Sequence, residues 1–371
     1  MMRSIGTKLD RRTWLAALSA AGAGALLPRS AAANEVPWLA EIQQPPAQSP
    51  ADKIKLSELL VDAAGQPITT LAGWRARREE LHRWWLDFLG PMPAERDAVK
   101  PPRLEVLAED RPEGVIRQHV RYEVEPSLLT EAYVLRPAKA KGKLPGIVAL
   151  HSTVDYSIRQ PAGLEGPPEK MFGLKFARRG CVVICPRCFA WPETGRIAAQ
   201  VEADKFLRRK PKSKAMVKML YDALVATDIL AALPDVDANR LGAVGHSLGA
   251  KETLYLAAFD ERIKATVSSE GGIGTRFSNW EAPWYLGPTI KEPAFTHEHH
   301  ELLALAAPRP FLLIGGESAD GDRGWPFIEA ALPVYRLYGE PARLGQFNHR
   351  QGHAVPKIAE ERIEEWLLTY L

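Results

Sequence analysis

The run Gly245-His246-Ser247-Leu248-Gly249 constrains the fold of this chain more than any other feature of the sequence. Residues 240–244 before it are typical of a short apolar strand, and residues 250–258 after it are good helix formers. A G-x-S-x-G run between a strand and a helix predicts a tight turn with the serine at its tip. The glycines let a strained backbone pass close to its neighbours. We therefore predict that Ser247 is a nucleophile.

A serine hydroxyl is a weak nucleophile unless a base, itself held by an acid, activates it. Candidates for both partners lie downstream of Ser247. The apolar run 343–347 is typical of a last strand, and the loop after it contains two histidines. His353 is the predicted base, and His349 is the alternative, with a role in ordering the loop.

The acid has four candidates. Asp320 is the first choice, because it lies in an acid-rich loop after the apolar run 310–314. Glu317 and Asp322 share that loop. Glu270 follows the preceding predicted strand, and it also remains open as the acid.

Two backbone N–H groups are needed to stabilise the negative charge that develops on the attacked carbonyl, and losing one typically costs about 2.7–4 kcal/mol. The amide of Leu248, directly after the nucleophile, is the first predicted donor. Residues 144–150 are typical of an earlier strand, and the loop after it begins at His151. The amide of Thr153 in that loop is the second predicted donor, and His151 is expected to have a structural role.

Strands and helices alternate from residue 146 to the end of the chain, which predicts an α/β fold with a mostly parallel sheet and helices on both faces. Antiparallel strands are expected before residue 136. The predicted domains are an N-terminal arm and helix over 34–100 and a catalytic domain over 101–371. Two long insertions, 189–214 and 274–296, predict lids or binding walls. Their aromatic residues either line a substrate cleft or pack the lid itself: Trp191, Phe277, Trp280, Trp284 and Tyr285.

The N-terminus has the pattern of a twin-arginine signal peptide. Arg11 and Arg12 precede an apolar stretch, and a run of small residues ends at Ala33. Residues 1–33 therefore predict recognition by the twin-arginine export machinery and a periplasmic or secreted bacterial protein. No other run is long and apolar enough to predict a stable membrane anchor.

Composition excludes several other functions. A formal net charge of +3 gives no general attraction to nucleic acid, and the basic run 205–214 is expected to be a solvated loop. Cys185 and Cys188 are expected to form a short disulfide or simply to be buried. Adjacent histidines near residue 299 cannot share a helix face, so no metal site is predicted, and no cofactor is expected.

Several segments carry a resemblance to a known family. "GIVALHST", "GLKFARRGCVVICPR", "RLGAVGHSLGAKETLYLAAFDERIKATVSSEGG", "LALAAPRPFLLIGG" and "HRQGHAVP" span about residues 140–371. The chain resembles an α/β-hydrolase of the dienelactone-hydrolase and acetyl-xylan-esterase-like group. That resemblance implies a cofactor-free serine esterase that forms an acyl-enzyme, acting on an ester of a carbohydrate. Serine stands where dienelactone hydrolases have a cysteine nucleophile, which favours ordinary esters.

A weaker likeness to glucuronoyl esterases rests on Lys251, Glu270 and the run "HHELLALAAPRP". The chain departs from those enzymes because Leu248 stands where they carry an arginine. A glucuronoyl esterase is one alternative function. A serine peptidase of the prolyl-oligopeptidase kind is another, although too few residues precede the catalytic region for a propeller. A non-catalytic binding relative is the third, and the intact serine, acid and histidine set argues against it.

Overall fold

In the computed structural model, which describes residues 35–47, 54–192 and 196–371, nine strands form one sheet. The strands are β1 (Glu105–Asp110), β2 (Val115–Glu125), β3 (Leu128–Pro137), β4 (Leu144–Leu150), β5 (Val182–Pro186), β6 (Val236–His246), β7 (Ile263–Ser269), β8 (Phe311–Gly315) and β9 (Leu344–Asn348). Their order is β1-β2-β3-β5-β4-β6-β7-β8-β9. The first three strands and the contact between β3 and β5 are antiparallel, and every later pair is parallel. The predicted mostly parallel α/β fold is confirmed.

Eight α-helices accompany this sheet within the described residues. They are α1 (Leu71–Leu89), α2 (Phe172–Arg178), α3 (Arg196–Arg209), α4 (Ala215–Ala232), α5 (Leu248–Phe259), α6 (His300–Ala306), α7 (Trp325–Leu337) and α8 (Lys357–Tyr370). Helix α3 lies inside the first long insertion, so residues 205–209, the first half of the basic run expected to be a loop, are helical instead. None of the helices in the described ranges combines the length and apolar character needed to cross a membrane. The predicted signal peptide, residues 1–33, lies outside the described residues.

Each face of the sheet carries its own hydrophobic core. Successive side chains of a strand point to opposite faces, and the central strands follow this rule: Val148 packs into one core, whereas Ile147 and Ala149 pack into the other. Helices α1 and α3–α7 cover the first face, and α2 and α8 cover the second. Because helices cover both faces, the polar loops lie at the N-terminal and C-terminal ends of the parallel strands.

The N-terminal segment 35–43 is attached to the last elements of the chain. The Trp38 ring stacks on Trp366 of α8 with 5.6 Å between ring centroids, and its indole N–H donates to Glu365 over 2.6 Å. The Gln43 amide donates to the Leu344 carbonyl of β9 over 3.0 Å. These contacts fix the start of the described chain against the second core.

Replacing Trp366 should destabilise the fold strongly. Its side chain is fully buried, so Trp366→Ala leaves a cavity, and we expect the free energy of unfolding to fall by about 3–5 kcal/mol. Urea unfolding followed by far-UV circular dichroism measures this. Leu368→Ala on the same helix is the matched control, since Leu368 is 40% exposed and should change the value by less than about 0.5 kcal/mol. Equal losses in the two variants would contradict the assigned packing.

His299 is buried between α5 and α6 without a charge. One ring nitrogen lies 2.9 Å from the Tyr255 hydroxyl, and the other lies 2.6 Å from the Ile273 carbonyl oxygen. Burial lowers the pKa of His299 to about 3 and outweighs the opposite effect of the Ile273 carbonyl. The imidazole is therefore neutral in the folded protein at all pH values near neutrality.

This burial predicts a loss of stability in acid. In the unfolded chain His299 has a pKa near 6.5, whereas in the folded chain its pKa is about 3. Stability from this residue is thus complete above pH 6.5 and is lost as the pH falls below it. When the pH is lowered from 7.5 to 5, the free energy of unfolding of the wild type should fall. We expect the fall to be about 2 kcal/mol smaller in His299→Gln, which has no imidazole to protonate. Urea unfolding at both pH values gives the comparison; an equal loss in both proteins would refute the assignment.

Candidate active site

Ser247 lies in the sharp turn between β6 and α5. Its backbone has φ +60° and ψ −114°, a left-handed conformation that non-glycine residues rarely adopt. The turn passes so close to other backbone that a Cβ on Gly245 would lie 2.2 Å from the carbonyl carbon of Gly249, and one on Gly249 would lie 2.4 Å from the Leu150 oxygen. The glycines on either side of Ser247 are therefore required by space.

The carboxyl ends of the parallel strands place the other predicted residues near this turn. The Ser247 amide donates to the Ser269 carbonyl at the end of β7 over 2.8 Å. Glu270 is the next residue after β7, and its amide donates to Ile314 of β8 over 2.8 Å. His353 lies in the loop after β9, where the ring centroids of His246 and His353 are 4.6 Å apart. Serine, carboxylate and imidazole thus meet at one edge of the sheet.

His353 contacts Glu270. Its Nδ1 lies 2.9 Å from Glu270 Oε2, and the carboxylate is fully buried, whereas the imidazole is 41% exposed. The same carboxylate accepts the amide of Ala319 over 2.7 Å and the amide of Gly316. Burial alone would raise the pKa of Glu270, but the hydrogen bonds from His353 and the two amides outweigh it and lower the pKa. Glu270 is therefore ionised and orients the imidazole.

Asp320, the first choice of acid, binds backbone amides, and the hydrogen-bond partner of His353 Nδ1 is Glu270. Its buried carboxylate accepts the amides of Gly272 and Ile273, each over 2.7 Å. Burial raises the pKa of Asp320 to about 6. The side chain points back into the loop after β7, and it shapes the backbone just beyond Glu270.

The other candidates in this loop bind the surrounding surface. Asp322 pairs with Arg350, 2.6 Å away, and accepts the Asn348 amide over 2.8 Å. Glu317 accepts the Asp322 amide over 3.0 Å. In the loop after β9, the His349 backbone N–H donates to the Gly315 carbonyl at the end of β8, and its Nδ1 accepts the Gln351 amide. These contacts agree with the loop-ordering role that was the alternative for His349.

The two predicted oxyanion donors lie at the start of α5 and in the loop after β4. Leu248 is the first residue of α5. Thr153 follows Ser152, whose amide donates to the Gln160 side chain over 2.9 Å. Within the described residues, neither the Leu248 nor the Thr153 amide donates a hydrogen bond to other protein atoms.

His151 holds the loop of Thr153 in place as a neutral residue. Burial lowers its pKa to about 4. Its Nδ1 lies 2.7 Å from the Ser152 carbonyl oxygen, and its Nε2 accepts the Cys188 amide over 3.1 Å. Because the Cys188 amide occupies the unprotonated Nε2 and burial disfavours the imidazolium, His151 is not free to act as a base. This is the structural role expected for His151.

Lys251 is the residue whose surroundings the sequence did not predict. It lies one turn into α5 from Ser247, and its ammonium is 3.9 Å from the Trp280 ring centroid and 2.8 Å from the Ser278 hydroxyl. Burial lowers the pKa of Lys251 to about 7. The sequence suggested at most an ion pair with a helix neighbour. The insertion 274–296 instead folds over the lysine with an aromatic ring.

The aromatic residues of the insertions divide into two groups. Trp191, Trp280 and Tyr285 are buried and pack the lid, whereas Phe277 and Trp284 are partly exposed. The Phe277 ring also lies under Arg323, with 4.7 Å between the guanidinium carbon and the ring centroid. Of these five aromatic side chains, only Phe277 and Trp284 expose part of their surface.

Metal and disulfide chemistry find no support in the described residues. No group of three or more histidine, cysteine or acidic side chains in that part of the chain could hold a metal ion. Cys185 and Cys188 are buried free thiols, which agrees with burial and not with a short disulfide. Burial raises the pKa of both thiols, so neither is a reactive thiolate at neutral pH.

Comparison with known proteins supports this architecture. Residues 130–301 match the dienelactone hydrolase family model. Carbohydrate esterase MZ0003, from an unknown prokaryotic organism, is 26% identical over 41% of this chain and 40% of its own length. YtaP of Bacillus subtilis (strain 168) is 27% identical over 65% of this chain and 79% of its own length.

Solved structures show the same fold over most of the chain. A glucuronoyl esterase from Solibacter usitatus superposes with a TM-score of 0.68 at 19% identity, over 87% of this chain and 99% of that one. Together with the nine-stranded sheet, this similarity shows that the chain has the α/β-hydrolase fold, and the match over residues 130–301 makes that part of the chain similar to the dienelactone hydrolase family.

Proposed function

We propose that this protein is a serine esterase in which Ser247, His353 and Glu270 form the catalytic triad. The observation that carries the proposal is the hydrogen bond between His353 Nδ1 and the buried Glu270 carboxylate, next to a serine in the strained turn of a nucleophile elbow. The family match and the esterase fold support the same reaction class.

The reaction is a two-step acyl transfer. Ser247 Oγ attacks the ester carbonyl carbon while His353 Nε2 takes the hydroxyl proton. Glu270 fixes the tautomer of His353 that leaves Nε2 free, and it stabilises the imidazolium that forms. The alcohol leaves with the proton from His353. A water molecule, deprotonated by His353, then attacks the acyl-enzyme and releases the acid and Ser247.

The backbone amides of Leu248 and Thr153 stabilise the oxyanion in both steps. The structural support is their position: Leu248 follows the elbow serine, and Thr153 lies just after the neighbouring strand β4. In the described part of the chain neither amide has a protein hydrogen-bond partner. Such donors act on the charge that develops in the transition state, so they accelerate the reaction more than they tighten substrate binding. No cofactor takes part in this mechanism.

The substrate is an ester of a carbohydrate. Two partly exposed aromatic side chains, Phe277 and Trp284, lie in the insertion over the site and offer faces for sugar rings. A relative named as a carbohydrate esterase and a structural neighbour named as a glucuronoyl esterase support this class. The acetyl-xylan-esterase-like group favours an acetylated sugar. The alternative is a methyl glucuronate ester, which the structural neighbour and the position of Glu270 favour.

We also propose that the protein is exported by the twin-arginine machinery to the periplasm or beyond. The support comes from Arg11, Arg12 and the apolar run after them in the sequence. An external location gives an enzyme access to esters of extracellular polysaccharides.

The choice of acid is tested by two matched substitutions. Glu270→Gln keeps the size of the side chain but removes the charge that orients His353, so we expect kcat to fall by about 10³–10⁴-fold. Asp320→Asn disturbs a hydrogen-bonded loop and should lower kcat by less than about tenfold. Turnover of a chromogenic acetate ester gives both values.

Glu317→Gln and Asp322→Asn complete the set of acid candidates, because Glu317 accepts the Asp322 amide and Asp322 forms a surface ion pair with Arg350 of the His353 loop. They should turn over the ester at the wild-type rate. A large loss in Asp320→Asn together with near-normal turnover in Glu270→Gln would assign the acid to Asp320 and overturn the proposed triad.

Substrate class is tested by a pair of esters presented to the same preparation. We expect acetylated xylan to release acetate and a methyl glucuronate ester to be hydrolysed at least about tenfold more slowly, with Ser247→Ala as the blank. Release of methanol at the higher rate would favour the glucuronoyl esterase alternative. Hydrolysis of simple aryl esters alone would contradict both carbohydrate substrates.

A further inference from the structure

Lys170 connects two loops of the candidate site. It lies just before α2, on the loop that leaves β4 and carries Thr153. Its ammonium is 3.3 Å from the backbone carbonyl oxygen of His353, which lies on the loop after β9. An ammonium to carbonyl hydrogen bond is charge-assisted, and it is stronger than a bond between neutral groups.

The loop of His353 has few other attachments near the imidazole. The Gly352 amide donates to the Gly316 carbonyl over 2.6 Å, and Glu270 holds Nδ1. These two contacts fix the backbone before the histidine and one atom of its ring. The Lys170 ammonium contacts the carbonyl on the other side of the residue, where the His246 ring also interacts with the His353 backbone. Because the imidazole is 41% exposed, packing alone does not hold it.

Charges around Lys170 favour its position. Burial lowers the pKa of Lys170, while the carboxylates of Glu169 and Glu270 act in the opposite direction. His246 lies beneath, and burial, together with the charges of Lys170 and His353, lowers its pKa well below the usual range. The charges of Glu169 and Glu270 thus favour the charged ammonium, which lies beside the backbone of His353.

We propose that Lys170 is a positioning residue for the base, because its ammonium ties the His353 backbone to the loop of the oxyanion donor Thr153. The proposal rests on the proposed function of His353. Holding base and oxyanion donor at a fixed separation matters because a shift of about 1 Å can cost about 100-fold in rate. Lys170 itself touches neither the substrate nor the reacting atoms in this role.

The experiment measures inactivation of the purified enzyme by a fluorophosphonate. Ser247 Oγ forms a bond to phosphorus, fluoride leaves, and His353 takes the hydroxyl proton, so the rate reports the base without knowledge of the natural substrate. Saturation kinetics separate the maximal inactivation rate from the probe concentration at half-saturation. This separation distinguishes a misplaced base from weaker binding of the probe.

Lys170→Met should lower the maximal inactivation rate by about 10- to 100-fold and change half-saturation by less than about twofold. Lys170→Arg keeps a charged donor and should restore the rate to within about threefold of the wild type. Lys357→Met is the matched control: its side chain is 88% exposed at the start of α8 and should leave the rate unchanged. Thermal unfolding confirms that each variant is folded, and Lys170→Gln replaces Lys170→Met if that variant unfolds.

A wild-type rate in folded Lys170→Met overturns the positioning role and leaves the proposed triad intact. A lower rate that Lys170→Arg fails to restore also overturns it, since the donor and charge would then not be what matters. Failure of the wild type itself to react overturns the proposed function instead. The two failures are therefore distinguishable.

Discussion

The close approach of backbone segments around Ser247 is the constraint on which the candidate site depends. The turn fits only because Gly249 passes the carbonyl of Leu150 at a distance that leaves no room for a Cβ. This contact joins the start of α5 to the end of β4, and so it brings Leu248 beside the loop of Thr153. The strain at Ser247 is sustained by these neighbours and by the bond from its amide to Ser269.

Glu270 organises the neighbouring strand ends in a comparable way. One buried carboxylate binds His353 from the loop after β9 and two amides from the loop after β8. It therefore links two loops, in addition to its proposed role as the acid of the triad. Asp320 also joins two strand ends, because its carboxylate, on the loop after β8, accepts the amides of Gly272 and Ile273 after β7. The loop after β8 thus supplies backbone amides that hold Glu270, and the end of β7 supplies the carboxylate that binds His353.

Much of the fold could be predicted from the sequence because its signals are local. The predicted strands over 144–150, 240–244, 310–314 and 343–347 correspond to β4, β6, β8 and β9, and the glycine pattern marked the turn at Ser247. The acid could not be chosen this way. Four carboxylates follow two adjacent strands, and only side-chain direction separates Glu270 from Asp320. Helix α3 and the cover over Lys251 were missed for a similar reason, since tertiary contacts decide the structure of long insertions.

The attachment of residues 35–43 to β9 and α8 has a consequence for how the chain is completed. Trp38 and Glu365 are separated by 327 positions, yet they share a hydrogen bond. During synthesis the Trp38 side chain therefore stays exposed until α8 has left the ribosome. The second core is closed only by the final residues, so a chain stopped short of α8 carries an open apolar face and is a natural target for quality control.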